Sequence, residues 1–243
     1  MENFETLILI VMTFLLAGTV KGVIGLGLPT VSLALLTVAI DLPSAMALLV
    51  VPSLLTNLWQ GVAGAHNRQI LRQLWPFFTM AVLTVGLGAQ ALSQVDHRVL
   101  TSLLGLLLVL YALINLAGVS VRIGPLKQRW LGPLLGIING VLTGMTGSFV
   151  VPGVFYLQAI GLSRDALIQA MGWLFFLSTL ALALSLQVGG RFSAELGMQS
   201  AIGLLPAIAG MLLGQRIRRR LSPERFRRLF FTALLLLGAY LLL

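Results

Sequence analysis

Cysteine is absent from the 243 residues. That excludes disulfides, thiolate metal sites and cysteine nucleophiles together. Charge is scarce: 9% of residues are Asp, Glu, Lys or Arg, against roughly a quarter in an ordinary soluble domain. Acids are scarcer still, at 7, and there are 2 histidines. Glu2 and Glu5 are N-terminal, while Asp41, Asp96, Asp165, Glu195 and Glu224 fall in or beside predicted loops, as do His66 and His97. No carboxylate or imidazole therefore lies in the interior of an apolar segment, away from its ends, and the usual buried proton relay of a pump has no candidate. Paired carboxylates, a metal cluster, a Walker A motif and a Ser/His/Asp set are likewise missing, so neither enzymatic chemistry, cofactor binding nor nucleotide-driven transport is expected.

What is present is apolar surface. Hydrophobic residues make up 58% of the chain, yet the net charge is +9 from 16 Lys+Arg. A soluble fold of this size must cover itself with polar groups, and a nucleic-acid binder needs a polar basic exterior. The composition is that of a polytopic membrane protein. Apolar stretches fall at 4–40, 43–64, 74–94, 98–119, 131–161, 165–188, 197–215 and 226–243, and about 20 residues suffice for one crossing. The N-terminus has no basic n-region and no small-residue cleavage site, so its first stretch is expected to stay as a membrane helix.

Two stretches are too long for one straight helix. The first contains Gly18, Gly22, Gly25, Gly27 and Pro29; the second contains Gly136, Gly140, Gly144, Gly147, Pro152 and Gly153. Glycine and proline weaken helix interiors, so each stretch is predicted to be two shorter helices around an unwound centre. The motif Lys21-Gly22-Val23-Ile24-Gly25-Leu26-Gly27 aligns with Asn139-Gly140-Val141-Leu142-Thr143-Gly144-Met145-Thr146-Gly147 if two residues are inserted. Three ordinary helices follow in each half. The predicted fold is all-α, with two inverted repeats at 1–120 and 125–243, each a broken or re-entrant hairpin followed by three transmembrane helices. Broken helices at matching places point to a transporter binding site.

Lys and Arg in short loops set orientation. If each broken stretch enters and returns on one side, Arg68, Arg72, Arg122, Lys127, Arg129, Arg164 and the seven arginines of 216–228 share a face, with Arg98 and Arg191 opposite, a split of 13 to 2. If each crosses once, the split is 6 to 9. The bias favours hairpins, with both termini outside the cytoplasm. The Arg216–Arg228 cluster reads either as a topology determinant or as a contact for anionic lipid headgroups; it lacks the aromatic platform that nucleic acid would want.

Lys21 is the single ion within a predicted span. Either it binds an anion at the broken centre, helped by backbone N–H groups of the Gly22, Gly25 and Gly27 turn, or its helix ends there and it snorkels to the interface. The second centre offers hydrogen-bond donors without negative charge in Asn139, Thr143, Thr146 and Ser148 around Gly144 and Gly147; close helix packing through small residues is the other reading. Asn57 and Gln60 share a helix face, with Gln169, Ser178 and Thr179 on the corresponding helix of the second half. These line a substrate path or bond helix to helix.

Two halves opening with Lys21–Pro29 and Asn139–Pro152, with Asn57 in the helix after the first, resemble the sulfite exporter TauE/SafE family over essentially the whole chain. The resemblance implies a carrier of sulfite, organosulfonates or related small anions in a bacterial inner membrane. One departure is that family first motifs commonly run to more consecutive glycines than Gly25-Leu26-Gly27-Leu28. The function expected is a secondary transporter or facilitator of such oxyanions, working by alternating access around a midplane site. The alternatives are a carrier of small carboxylates and a non-transporting membrane scaffold.

Overall fold

The computed structural model describes residues 2–119, 121–218, 220 and 222–243. Among these are twelve helices and no strand. The first half contains α1 (Glu2–Ile24), α2 (Leu28–Ala39), α3 (Leu42–Leu48), α4 (Val50–Val62), α5 (Asn67–Gln94) and α6 (His97–Leu116). The second contains α7 (Pro125–Thr146), α8 (Gly153–Ala159), α9 (Arg164–Val188), α10 (Ala194–Ile202), α11 (Leu204–Arg218) and α12 (Pro223–Tyr240). Five stretches are long and apolar enough to cross a membrane: Phe4–Ile24, Asn67–Gln94, His97–Leu116, Arg164–Val188 and Ala194–Arg218. The pair α3 and α4, bent by 46°, makes a sixth. The chain is a polytopic membrane protein, and its outward apolar residues (Leu83, Leu87 and Leu184 among them) are exposed as lipid-facing residues are.

Both overlong stretches are broken, but unequally. A full-length helix is followed by a short return, not by an equal partner. The reason is that most of the glycines stay helical. Only Gly25 (φ 88°), Gly27 (φ 109°) and Gly147 (φ 71°) adopt the left-handed conformation at the breaks, where a Cβ would be strained. Pro29 then sits in the first turn of α2, where its missing N–H costs nothing. The ends of the second hairpin meet: the Ile123 N–H, just before α7, donates to the Ala159 carbonyl at the end of α8, at 2.8 Å.

The bend between α3 and α4 also has a local cause. Pro52 lacks an N–H, which frees the Leu48 carbonyl one turn earlier. Ser200 of α10 supplies the substitute: its hydroxyl donates to Leu48 O at 2.7 Å and accepts from the Val51 N–H at 3.0 Å.

Gly18, Gly22, Gly136, Gly140 and Gly144 serve packing. Gly18 and Gly22 of α1 rest on the Ala207 and Met211 carbonyls of α11; Gly136, Gly140 and Gly144 of α7 rest on the Phe77, Ala81 and Val85 carbonyls of α5. Both seams are parallel. A Cβ at Gly22 would lie 2.9 Å from the Gly214 Cα, and one at Gly136 would lie 2.5 Å from the Phe77 oxygen. By contrast α4 lies antiparallel on α9, with Gly61 against Gly172 and Gly64 against Gln169, and α6 lies antiparallel on α12, with Gly105 against Gly238. Exchanging the halves turns the α1–α11 seam into the α7–α5 seam and maps the other two pairs onto themselves.

These directions sort the charges. The starts of α5, α7 and α9 and the end of α11 share one end of the bundle, which carries Arg68, Arg72, Arg122, Lys127, Arg129, Arg164 and the described arginines of 216–228. Arg219 of that run lies outside the described residues. Arg98 and Arg191 occupy the other end.

Candidate functional site

Lys21 is in the last turn of α1, four residues before the first left-handed glycine. It does not snorkel. The residue is 3% exposed, and its ammonium reaches sideways into α4. There it donates to Thr56 Oγ1 at 3.1 Å and, through a short contact, to Asn57 Oδ1. The Thr56 hydroxyl donates its own proton to the Pro52 carbonyl at 2.7 Å, so its lone pairs are what remain for Lys21. The ammonium fixes the Asn57 amide with its oxygen inward. That leaves Asn57 Nδ2 fully buried and without a partner. No carboxylate pairs with Lys21 among the described residues; the acids all lie at helix ends or in links. A buried ammonium with two neutral acceptors and no counter-charge is a costly arrangement.

Asn139, on α7, plays a matching part at the second break. Its Oδ1 accepts the Gly153 N–H at the start of α8, at 2.9 Å, and its Nδ2 is buried and unpartnered. The other predicted donors shape the break itself. Thr143 Oγ1 donates to the Ser148 carbonyl at 3.0 Å. Thr146 Oγ1 donates to Leu142 O at 2.7 Å and accepts the Ser148 N–H at 3.2 Å. The Ser148 hydroxyl has no partner, nor do those of Ser53 on α4 and Ser178 on α9, all buried.

Asn57 and Asn139 lie at similar heights along α9, whereas Gly25 of the first break rests on Ile168, earlier on that helix. The Leu174 side chain of α9 packs over Gly153 beside Asn139. On the same helix, the register set by Gly64–Gln169 and Gly61–Gly172 carries Asn57 to the height of Phe176, within about 3 Å of Leu174 along the axis.

Other predicted site residues stand apart from the breaks. Gln60 Nε2 donates to the Ile168 carbonyl at 2.8 Å. Gln169 donates to Gly61 O at 2.8 Å and accepts the His66 N–H at 3.1 Å. Both amides tie α4 to α9, the helix-to-helix reading of their place in the sequence. Gly22 and Gly144 face α11 and α5, away from the breaks, whereas Gly25, Gly27 and Gly147 form the turns. Thr56 is the participant that sequence reasoning missed. Its signal was available: it adjoins Asn57 and lies one turn after Pro52, whose carbonyl holds its hydroxyl.

No group of His, Cys, Asp or Glu among the described residues is arranged to hold a metal ion. No curated protein and no solved structure matches the chain. The profile of one family, described as Sulfite exporter TauE/SafE, matches residues 10–241, nearly the whole length. That family is one of membrane transporters and not of enzymes, and it indicates an exporter of anions of the sulfite and sulfonate type. With a match over nearly its whole length, the chain belongs to the sulfite exporter TauE/SafE family.

Proposed function

We propose that the protein carries sulfite or a small organosulfonate across the bacterial inner membrane, with the anion held between the two broken helices. The observation that carries this reading is the Lys21 ammonium, buried with no carboxylate partner among the described residues. The missing counter-charge is the substrate. Lys21 supplies charge, and the free Nδ2 groups of Asn57 and Asn139 and the free Ser148 hydroxyl supply neutral donors. Thr143, Thr146, Gly25, Gly27 and Gly147 shape the turns that hold these donors.

The two halves, 1–120 and 125–243, act as inverted repeats, a reading supported by the exchange of the α1–α11 and α7–α5 seams. Access alternates as one half moves against the other around the breaks. Collection of nearly all cations at one end supports a cytoplasmic location for that end and an outside location for both termini. In that orientation the described arginines of 216–228 would meet anionic headgroups.

The test is sulfite and methanesulfonate flux in proteoliposomes. Loss of a charge-assisted hydrogen bond is worth about 1.5–3 kcal/mol, so Lys21→Ala is expected to lower flux at limiting substrate by about 10- to 100-fold. Unchanged flux and affinity in that variant would remove Lys21 from the site.

A further inference from the structure

A trough of about 360 Å³ runs between α4 and α11, walled by Leu55, Trp59, Leu204, Ile208 and Leu212 with Thr56 among its lining. Thr56 is also the residue whose hydroxyl receives the Lys21 ammonium, at 3.1 Å. One side chain therefore separates an uncompensated cation from an apolar channel. No residue lining that channel is charged. Trp59 is 70% exposed and Leu212 55%, so the trough opens sideways, where the bilayer would be. The other crevices lack this combination. The one between α5 and α9 contains Arg191, whose guanidinium is already committed to the Leu92 carbonyl at 2.8 Å. The wholly apolar one between α1, α2 and α12 includes neither Lys21 nor its partners.

We propose that the substrate is an amphiphile: a monoanionic sulfonate whose hydrocarbon tail lies in the α4–α11 trough while its head pairs with Lys21. The charge that the head satisfies and the apolar bed that the tail covers meet at Thr56. The inference rests on the reading of Lys21 given above and adds the chemistry of the rest of the ligand. A tail seated in the trough leaves water one methylene at a time. Each is expected to tighten binding about fourfold, which corresponds to about 0.8 kcal/mol.

The experiment measures binding of methanesulfonate, butanesulfonate and octanesulfonate to the full chain in detergent. Octanol and octyltrimethylammonium serve as tails without an anionic head. Affinity is expected to rise from methane- to butane- to octanesulfonate, with neither control binding comparably. Ile208→Trp and, independently, Leu212→Phe are expected to shrink the octanesulfonate-to-methanesulfonate affinity ratio. Equal affinity across the series overturns the tail proposal and leaves Lys21 standing. So does a ratio that neither folded variant changes, or binding of octyltrimethylammonium as tight as that of octanesulfonate. Failure of every sulfonate to bind the wild-type chain overturns the Lys21 reading itself.

Discussion

Replacing Lys21 by methionine separates a substrate ligand from a structural strut, because the two roles move stability in opposite directions. Methionine keeps the length and apolar stem of lysine and removes the charge. Relief from burying an ammonium without a counter-charge is worth several kcal/mol. Against this, Asn57 Oδ1 loses its donor, and an unsatisfied buried carbonyl costs about 1–3 kcal/mol. Thr56 loses little, since its hydroxyl keeps the Pro52 carbonyl. Lys21→Met alone is thus expected to be close to neutral or mildly stabilising. Adding Asn57→Leu removes the orphaned amide, and the double variant is expected to gain about 1–4 kcal/mol, as apolar replacements of buried ionic groups often do. For a chain of this length that is an upward shift of several degrees in Tm. The assay is thermal unfolding in sulfite-free detergent beside efflux from proteoliposomes, in which both variants are expected to lose at least about tenfold in flux at limiting substrate. A double variant that loses more than about 3 kcal/mol while retaining flux would refute the reasoning, for it would mean that Lys21 braces α1 on α4 and does nothing for the anion.

Three further outcomes are expected. Gly140→Ala drives a methyl into the Ala81 carbonyl, whose carbon would be only 3.0 Å away, and Gly22→Ala does the same against α11; each is expected to lose about 1–3 kcal/mol, checked by denaturant unfolding in detergent, and a neutral result for both would deny that these seams are backbone-close. In the cysteine-free chain, a single cysteine at exposed Val121 is expected to react with a membrane-impermeant maleimide only from the cytoplasmic side of oriented vesicles, and one at exposed Val188 only from outside; the reverse pattern would invert the topology. Sulfate, a dianion, is expected to compete with methanesulfonate at least tenfold more weakly than bisulfite does, because one lysine leaves a second negative charge unpaired in a dry site; equal competition would show that more positive charge reaches the anion than Lys21 provides.

How far the sequence could be read follows from what spacing encodes. The two breaks were legible because glycine clusters and a following proline inside overlong apolar stretches have few other physical meanings. Which glycines break the helix was not legible. Gly22 and Gly25 lie three residues apart in one motif, yet Gly22 remains helical under the Met211 carbonyl while Gly25 takes φ 88°. Only contact with α11 distinguishes them. The pairing of Lys21 with Thr56 and Asn57 was out of reach for the same reason, since those residues lie 35 and 36 positions away on another helix. Ser200, which repairs the Pro52 defect from 152 residues beyond Leu48, left no local trace at all. Gln60 and Gln169 showed polarity in an apolar run, and polarity alone does not say whether an amide meets a substrate or a neighbouring carbonyl. Their bonds to Ile168 and Gly61 show that it meets carbonyls.

The difference between the two breaks has a consequence for charge. Gly18 and Gly22 rest on Ala207 and Met211 as Gly136 and Gly140 rest on Phe77 and Ala81, with the same spacing in each seam. Lys21 and Asn139, each one residue before the second glycine, thereby occupy corresponding places. In the proposed repeat, one half contributes an ammonium and the other an amide. Two lysines facing one monoanion would leave a net positive charge buried among apolar helices, at a cost of several kcal/mol. Two asparagines would offer donors and leave the anion's own charge uncompensated. One of each makes the complex neutral. On the proposed alternating-access reading, a neutral complex is the one that an apolar interface would carry at least cost. On the proposed reading, this asymmetry suits a monoanion such as bisulfite or a sulfonate: Lys21 of the first half would hold its charge, while Asn57, Asn139 and Ser148 would add neutral donors.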